Sequence, residues 1–245
     1  MSKVAIIGGS GLDALPGLTN FREHRLATAY GKTSAPILEG TLADREVYFL
    51  ARHGRDHAIP PHQINYRANI AALTMLEIKD VLAITAVGGI VRTTPPRRIV
   101  IPDQIIDYSY GREHTFSDGL DLTVKHVDFT YPFSNKLRQK LITAAGKNNI
   151  PIETHGTYGA TQGPRLETAA EIVRMAGDGC TIVGMTGMPE ATLAREVGLN
   201  YANCSLVVNW AAGIAKGPIE LDEISQHLTI GMKDVLDLTA AWLQC

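Results

Sequence analysis

Residues 202–209 read ANCSLVVN, an apolar run that ends on a single carboxamide at Asn209. A continuous apolar run of this length is typical of a strand that is buried on both faces of a parallel sheet. Other short runs rich in valine and isoleucine have the same character and also end at glycine or polar residues. The predicted strands are residues 4–7, 47–51, 80–87, 98–106, 180–185 and 202–209.

Helical patterns separate these runs. Residues 66–76, 167–177 and 189–198 are predicted helices, and the last two end on a glycine. Residues 221–243 have the pattern of a long amphipathic helix. Strands that alternate with helices predict an α/β fold, here a single domain over residues 1–245 with a central, mixed but mostly parallel sheet flanked by helices. Because ligands of such sheets bind beyond the carboxyl ends of strands, the residues that follow each strand are the first candidates for a site.

The composition argues against several classes of protein. A content of 45% apolar and 20% charged residues is ordinary for a globular enzyme, and a net charge of -2 argues against a nucleic-acid partner. No apolar stretch reaches the roughly 18 residues of a membrane span, and the first is too short for a signal peptide. We therefore expect a cytoplasmic protein without a membrane partner. The three cysteines are widely spaced without a CxxC pair, which argues against a disulfide framework or a thiolate metal site.

The first two strand ends carry groups that suit an anion. In IIGGSGLD (6–13), the glycines let backbone N–H groups approach an anion and Ser10 adds a hydroxyl, although a plain tight turn is the alternative. The spacing matches neither GxGxxG nor a Walker loop. In LARHGRDH (50–57), Arg52 and His53 directly follow a strand, and the arginine fork suits phosphate oxygens. A solvated charged loop is the alternative there, and we expect no metal at His53 and His57.

Two further strand ends add neutral donors. ITAVGG (84–89) offers the Thr85 hydroxyl and the Ala86 backbone, and GMTGMPE (184–190) offers Thr186 ahead of a helix. Each segment alone is weak evidence. Together they predict an oxyanion site made of hydroxyls and one guanidinium.

These segments, with NYRANI and TQGPRLET, resemble the trimeric purine nucleoside phosphorylase and methylthioadenosine phosphorylase family from about residue 3 to the final helix. The resemblance implies phosphorolysis, in which inorganic phosphate attacks C1′ of a purine nucleoside and the purine leaves from N9. It implies a homotrimer whose small-molecule ligands are the nucleoside and phosphate as co-substrate, with no cofactor and no metal. It places the ribose at Met185 and the phosphate at Ser10, Arg52, His53, Thr85, Ala86 and Thr186.

The same resemblance bears on the base. Methylthioadenosine phosphorylases carry Asp-x-Asp where this chain has Asn209, Trp210 and Ala211, and Glu167 falls on a glutamate of enzymes for 6-oxopurines, with Leu166 in place of an aromatic residue. An ionised glutamate only accepts hydrogen bonds, so it suits the N1–H of a 6-oxopurine, and the Asn209 amide can donate to O6 or N7. We therefore expect hypoxanthine-type bases to be favoured over adenine. A helix-terminal acid and a turn residue are the alternatives for Glu167 and Asn209.

The segment GPIELDEIS (217–225) bears on the sugar. By resemblance, Leu221 and Ile224 fall on positions that contact a methylthio group, and helix core is the alternative. The combined expectation is phosphorolysis of S-methyl-5′-thioinosine to hypoxanthine and 5-methylthioribose 1-phosphate in purine salvage. Phosphorolysis of inosine or guanosine, or of methylthioadenosine, is the alternative within the family, and a silent nucleoside-binding protein or a dinucleotide-dependent oxidoreductase is the alternative outside it.

The resemblance also implies a subunit boundary. His126 in HVDFTYPF (126–133) falls in a segment that a neighbouring subunit contributes to the sugar pocket. Residues 111–120 are expected to form a loop at the same boundary.

Overall fold

A single large sheet organises the protein. The computed structural model describes residues 2–117 and 125–245, and eleven strands of these ranges form the sheet while a separate hairpin pairs two short strands. No helix in the described ranges is both long and apolar enough to cross a membrane. The strands are β1 (Val4–Gly8), β2 (Thr19–His24), β3 (Ala27–Thr28), β4 (Gly31–Lys32), β5 (Ile37–Leu42), β6 (Arg45–Ala51), β7 (Asp80–Gly89), β8 (Ile99–Val100), β9 (Gln104–Asp107), β10 (Ile152–Glu153), β11 (Thr157–Ala160), β12 (Ile182–Gly184) and β13 (Asn200–Trp210).

Helices cover this sheet. The strands β1, β7 and β13 are buried along nearly their whole length, which requires cover on both faces. The longest helix begins and ends where the amphipathic pattern predicts, and it buries Val235, Leu238 and Trp242 in the core. The helices are α1 (Tyr66–Met75), α2 (Asn135–Lys147), α3 (Ala169–Gly177), α4 (Gly187–Glu196) and α5 (Leu221–Leu243), with short 3₁₀ turns at Arg55–His57 and Pro61–Gln63.

Strand β7 is the axis of the sheet. Its first residues pair in parallel with β1, its whole length pairs in parallel with β13, and Gly88 and Gly89 pair antiparallel with β12. The main order is β10-β8-β13-β7-β1-β6-β5-β2, and β11 and β9 extend a branch from β12. Six strand pairs of the sheet are parallel, while β12–β7, β13–β8, β2–β5 and β5–β6 are antiparallel. The predicted α/β class with a mixed, mostly parallel sheet is confirmed.

A β-bulge interrupts β13 close to its end. The pairing with β7 shifts register between Val207 and Asn209, so one extra residue is inserted in β13. A bulge of this kind changes the face toward which the following side chains point. The bulge thereby sets the direction of Asn209.

Two predicted segments differ from the observed elements in ways that have a clear physical cause. Residues 98–106 form two strands, β8 and β9, because Pro102 lacks the N–H that a continuous ladder needs. Helix α3 begins at Ala169, since Thr168 is its N-cap and forms a capping box with Glu171. Glu167 therefore precedes the helix and is not its terminal acid. Of the expected boundary loop, residues 111–117 form neither helix nor strand, and residues 118–120 lie outside the described ranges.

Candidate active site

One cavity of about 700 Å³ collects most of the predicted residues. It lies at the residues that follow β1, β6 and β12 and along the last parts of β7 and β13. The rule that ligands bind beyond the carboxyl ends of strands therefore predicted the position of this cavity from the sequence. The predicted residues that line it are Ser10, Arg52, His53, Thr85, Ala86, Leu166, Glu167, Met185, Thr186, Asn209, Ala211, Leu221 and Ile224.

Gly9 makes room for the arginine at one end of the cavity. A Cβ atom at Gly9 would lie 2.8 Å from the carbonyl oxygen of Ile84 and 2.9 Å from Nη1 of Arg52. Any larger residue would therefore displace the guanidinium. The neighbouring Ser10 is half-buried, and its hydroxyl lies 3.4 Å from Nε2 of His57.

Arg52 is fully buried and paired with a glutamate that the sequence reasoning did not assign. Its Nε and Nη2 donate to the carboxylate of Glu190 at 2.7 and 2.9 Å, and Nη1 donates to the Ile84 carbonyl at 3.0 Å. The Tyr201 hydroxyl also donates to Glu190, at 2.8 Å. Burial alone would lower the pKa of Arg52, but the charge and hydrogen bonds of Glu190 outweigh it and raise that pKa. Two of the five guanidinium hydrogens have no partner in these bonds and are available to a ligand.

His53 is held as a neutral ring. Its Nδ1 donates to the carbonyl oxygen of Ile59 at 2.8 Å, which leaves Nε2 as an acceptor. Burial, reinforced by the charge of Arg52, lowers the pKa of His53 from 6.5 to about 4. Near neutral pH, Nε2 can therefore accept a hydrogen bond from a protonated phosphate oxygen.

His57 is a lining residue that the sequence reasoning considered only as a metal ligand. Its ring stacks on that of His53 with centroids 4.2 Å apart, and it lines the same cavity. Within residues 2–117 and 125–245, no three His, Cys, Asp or Glu side chains are grouped closely enough to hold a metal ion. The spacing of two histidines after Arg52 was the sequence signal for this residue.

The two threonines have different positions. Thr85 lies inside β7 rather than at its end, because the strand continues to Gly89. A Cβ atom at position 89 would lie 1.9 Å from the carbonyl oxygen of Thr94, so only glycine lets the strand pass so close to that residue. The Thr85 hydroxyl lies 3.0 Å from Oδ1 of Asn203 in the buried interior. Thr186 is the N-cap of α4, and its side chain makes no capping bond within the described structure. Its hydroxyl is therefore available to the cavity that it lines.

The base-reading candidates line the same cavity. One carboxylate oxygen of Glu167, Oε1, accepts a hydrogen bond of 2.6 Å from the hydroxyl of Thr161. The Asn209 amide donates to the Trp210 carbonyl at 2.7 Å, so one amide hydrogen and the amide oxygen remain for a ligand. Ala211 is buried and lines the cavity beside Asn209.

Two predicted residues lie elsewhere. Trp210 does not line the main cavity, but it lines a neighbouring cavity of about 580 Å³ together with His227. His227 donates from Nδ1 to the Val208 carbonyl oxygen at 2.9 Å. A carbonyl oxygen can only accept, so this ring nitrogen carries the hydrogen. His126 is exposed and lines neither cavity of its own chain.

The sugar-side candidates lie at the start of α5. Leu221 is 73% exposed and Ile224 is half-buried, and both line the main cavity. Leu221 is therefore not helix core in the single chain, while Ile224 also packs against the core. The two side chains give this end of the cavity an apolar wall.

Comparison with known proteins agrees with this geometry. The chain matches the Phosphorylase superfamily over residues 3–244. It is 52% identical over 226 residues to a Xylella fastidiosa protein named probable S-methyl-5′-thioinosine phosphorylase, covering 92% of this chain and 95% of that protein. It is 43% identical to the 6-oxopurine nucleoside phosphorylase of Pyrococcus furiosus, covering 98% and 92%.

A solved structure shares the fold. Methylthioadenosine phosphorylase from Schistosoma mansoni in complex with adenine superposes with a TM-score of 0.93 at 30% identity, covering 100% of this chain and 91% of that chain. The resemblance predicted from the strand-end segments is confirmed. By sequence, by fold and by the cavity that its strand ends build, the chain belongs to the phosphorylase superfamily.

Proposed function

We propose that this protein catalyses the phosphorolysis of S-methyl-5′-thioinosine to hypoxanthine and 5-methylthioribose 1-phosphate, a step of purine salvage. The observation that carries the proposal is the lining of one cavity, which brings the polar Glu167 and Asn209 together with the apolar Leu221 and Ile224. The name of the Xylella fastidiosa relative supports the same substrate.

The phosphate is assigned to the end of the cavity that holds Arg52. Glu190 balances the charge of Arg52 before any ligand binds. The remaining guanidinium hydrogens, with the hydroxyls of Ser10 and Thr186, therefore orient phosphate without cancelling its negative charge. An anion that keeps its charge stabilises the positive charge that develops at C1′ in the transition state. Met185, Thr85, Ala86 and His53 complete the proposed ribose and phosphate contacts.

The reaction makes one bond and breaks one bond. A phosphate oxygen bonds to C1′, the bond from C1′ to N9 breaks, and its electron pair leaves with the purine. Asn209 donates a hydrogen bond to N7 or O6 of the departing base, and because an amide is not an acid near neutral pH, it stabilises the purine anion without transferring a proton to it.

Glu167 and Asn209 distinguish the bases. Glu167 accepts from the N1–H of hypoxanthine, whereas adenine presents a lone pair at N1 and repels the carboxylate. A mismatched base leaves buried polar groups unpaired, at about 1–3 kcal/mol each. Leu166 and Ala211 fill the base pocket without adding a second carboxylate.

The apolar wall distinguishes the sugars. Leu221 and Ile224 offer a thioether an apolar surface worth about 25 cal/mol for each Å² that is buried. A 5′-hydroxyl gains nothing from that surface.

The test is kcat/KM with inorganic phosphate for methylthioinosine, methylthioadenosine, inosine and guanosine. Methylthioinosine should give the highest value. A higher value for methylthioadenosine would contradict the roles of Glu167 and Asn209, and a higher value for inosine would contradict the role of the apolar wall. A protein that only binds nucleosides would release no hypoxanthine.

Phosphorolysis of inosine or guanosine is the second candidate. The name of the Pyrococcus furiosus relative favours it, and so does the exposure of Leu221, which leaves the apolar wall open in the single chain. The same four-substrate panel separates it from the first candidate.

A cytoplasmic homotrimer is part of the proposal. His126 is exposed in the single chain, and Tyr131 in the same segment is 69% exposed, so both are available to a neighbouring subunit. In a trimer this segment would close the apolar wall beside Leu221. The mass in solution tests the assembly.

A further inference from the structure

Thr161 holds one oxygen of the carboxylate that faces the base. Its hydroxyl donates to Oε1 of Glu167 at 2.6 Å, and its side chain is buried. Its backbone N–H donates to the Gly184 carbonyl at 2.8 Å, which ties the residue to the end of β12. The threonine is therefore fixed while it bonds the glutamate.

Thr161 approaches Glu167 from behind. Glu167 lines both the main cavity and a second cavity of about 400 Å³, whereas Thr161 lines only the second. A purine in the main cavity would therefore meet the carboxylate on one side while Thr161 bonds it from the other. Any effect of Thr161 on the purine acts through Glu167.

Arg112 fixes the backbone of Thr161 relative to the rest of the site. This buried arginine donates from Nη2 to the carbonyls of Thr161 and Gln162 at 3.0 and 2.7 Å, and from Nη1 to those of Met185 and Met188 at 2.8 and 2.6 Å. It joins the turn that carries Glu167 to the turn that carries Met185. In the described part of the chain it makes no ion pair with a carboxylate, so its hydrogen bonds serve to position these two turns.

The two 6-oxopurines differ in what they offer a carboxylate. Hypoxanthine presents one donor at this edge, N1–H, whereas guanine presents two, N1–H and the 2-amino group. A glutamate that faces hypoxanthine would leave one oxygen without a donor, and an unpaired buried acceptor is costly. The Thr161 hydroxyl supplies that donor from within the protein.

We propose that Thr161 is a specificity-determining positioning residue, which lets Glu167 bind a 6-oxopurine that lacks a 2-amino group. The inference rests on the proposed function, in which Glu167 accepts from N1–H. It adds a preference between two bases that Glu167 alone does not set: hypoxanthine nucleosides are used at least as well as guanine nucleosides.

The experiment compares the wild-type protein with Thr161→Val, which keeps the shape of the side chain and removes its donor, and with Thr161→Ser, which restores the donor. The substrates are methylthioinosine and methylthioguanosine with inorganic phosphate. We expect Thr161→Val to lower kcat/KM for methylthioinosine by about 5- to 100-fold, mainly through KM, which is equivalent to about 1–3 kcal/mol at 1.4 kcal/mol per tenfold. The value for methylthioguanosine should change much less, and Thr161→Ser should keep the wild-type ratio.

The inference is overturned if Thr161→Val lowers both values equally or changes neither, since a purely structural role would not alter their ratio. If Thr161→Val does not fold, the ratio is measured with Thr161→Ala under the same criteria. Wild-type preference for methylthioadenosine would overturn the proposed function and the inference with it. Wild-type preference for methylthioinosine with an unchanged ratio in the valine variant would overturn the inference alone.

Discussion

Replacing Glu190 with glutamine removes the counter-charge of a fully buried cation. In the described structure, Glu190 is the carboxylate that pairs with Arg52, and its two oxygens accept from Nε and Nη2 at 2.7 and 2.9 Å. Glutamine has nearly the same size, but its NH₂ group cannot accept a hydrogen bond, so one arginine donor also loses its partner. Removing one member of a buried ion pair costs about 3–5 kcal/mol.

The corresponding change in melting temperature follows from the chain length. For 245 residues, an unfolding entropy of about 2.1 cal/mol/K per residue gives about 0.5 kcal/mol/K. Glu190→Gln should therefore lower Tm by about 6–10 °C. The matched control is Glu77→Gln, because Glu77 is exposed and lies 3.6 Å from the half-buried Lys3 at the surface, a pair worth at most about 1 kcal/mol.

Phosphate should partly restore the variant. With Glu190 neutral, inorganic phosphate becomes the counter-ion of Arg52, so it should bind the folded variant more tightly and raise its Tm by more than that of the wild-type protein. Thermal unfolding followed by circular dichroism, with and without phosphate at one protein concentration, measures both effects. A stability loss no greater than that of the Glu77 control, or an equal phosphate effect on both proteins, would refute the assignment of Arg52 to phosphate beside a balancing glutamate.

Three further variants test other parts of the site. Asn209→Asp combined with Ala211→Asp should raise the ratio of kcat/KM for methylthioadenosine to that for methylthioinosine by about tenfold or more, and an unchanged ratio would count against the base assignment. Because the pKa of His53 is about 4 when folded and 6.5 when unfolded, the stability that its neutral form contributes is present above pH 6.5 and is lost as pH falls towards 4. In urea unfolding at several pH values, the midpoint of His53→Asn should fall less between pH 6.5 and 4 than the midpoint of the wild-type protein. An equally steep fall would contradict the burial of a neutral His53. Leu221→Asn should lower kcat/KM for methylthioinosine about 5- to 10-fold while sparing inosine, and equal losses would contradict an apolar sugar wall.

The elements that the sequence predicts best are those with a long, uniform pattern. The buried run at 202–209 became the core of β13, and the amphipathic pattern at 221–243 matched α5 because its apolar positions recur along its full length. The edge strand β2 was not predicted because nearly all of its residues are exposed, so it carries no run of buried apolar residues. Strands of two residues, such as β8 and β10, exist only through their partners.

Some residues of the candidate site could also be predicted from the sequence, and others could not. Residues that follow a strand, such as Arg52 and Thr186, were located because strand ends of a parallel sheet meet at one edge. Glu190 and Thr161 were not assigned roles, because their roles depend on partners that only the folded chain brings close. Glu190 meets Arg52 across 138 positions of sequence. Trp210 was predicted to contact the substrate because it lies between Asn209 and Ala211 in sequence, but it lines only the neighbouring cavity.

The bulge in β13 has a consequence for how this protein can change its substrate. On a regular strand, the side chains at every second position share one face. A substitution of a residue that faces a ligand therefore also disturbs the packing of its neighbours on that face. The inserted residue before Asn209 breaks that alternation, and the two faces of β13 are already buried and complete upstream of it. A substitution at Asn209 should therefore alter the contact with the base while the packing of β13 upstream of the bulge stays as it is, which makes this position a natural starting point for redesigning the enzyme.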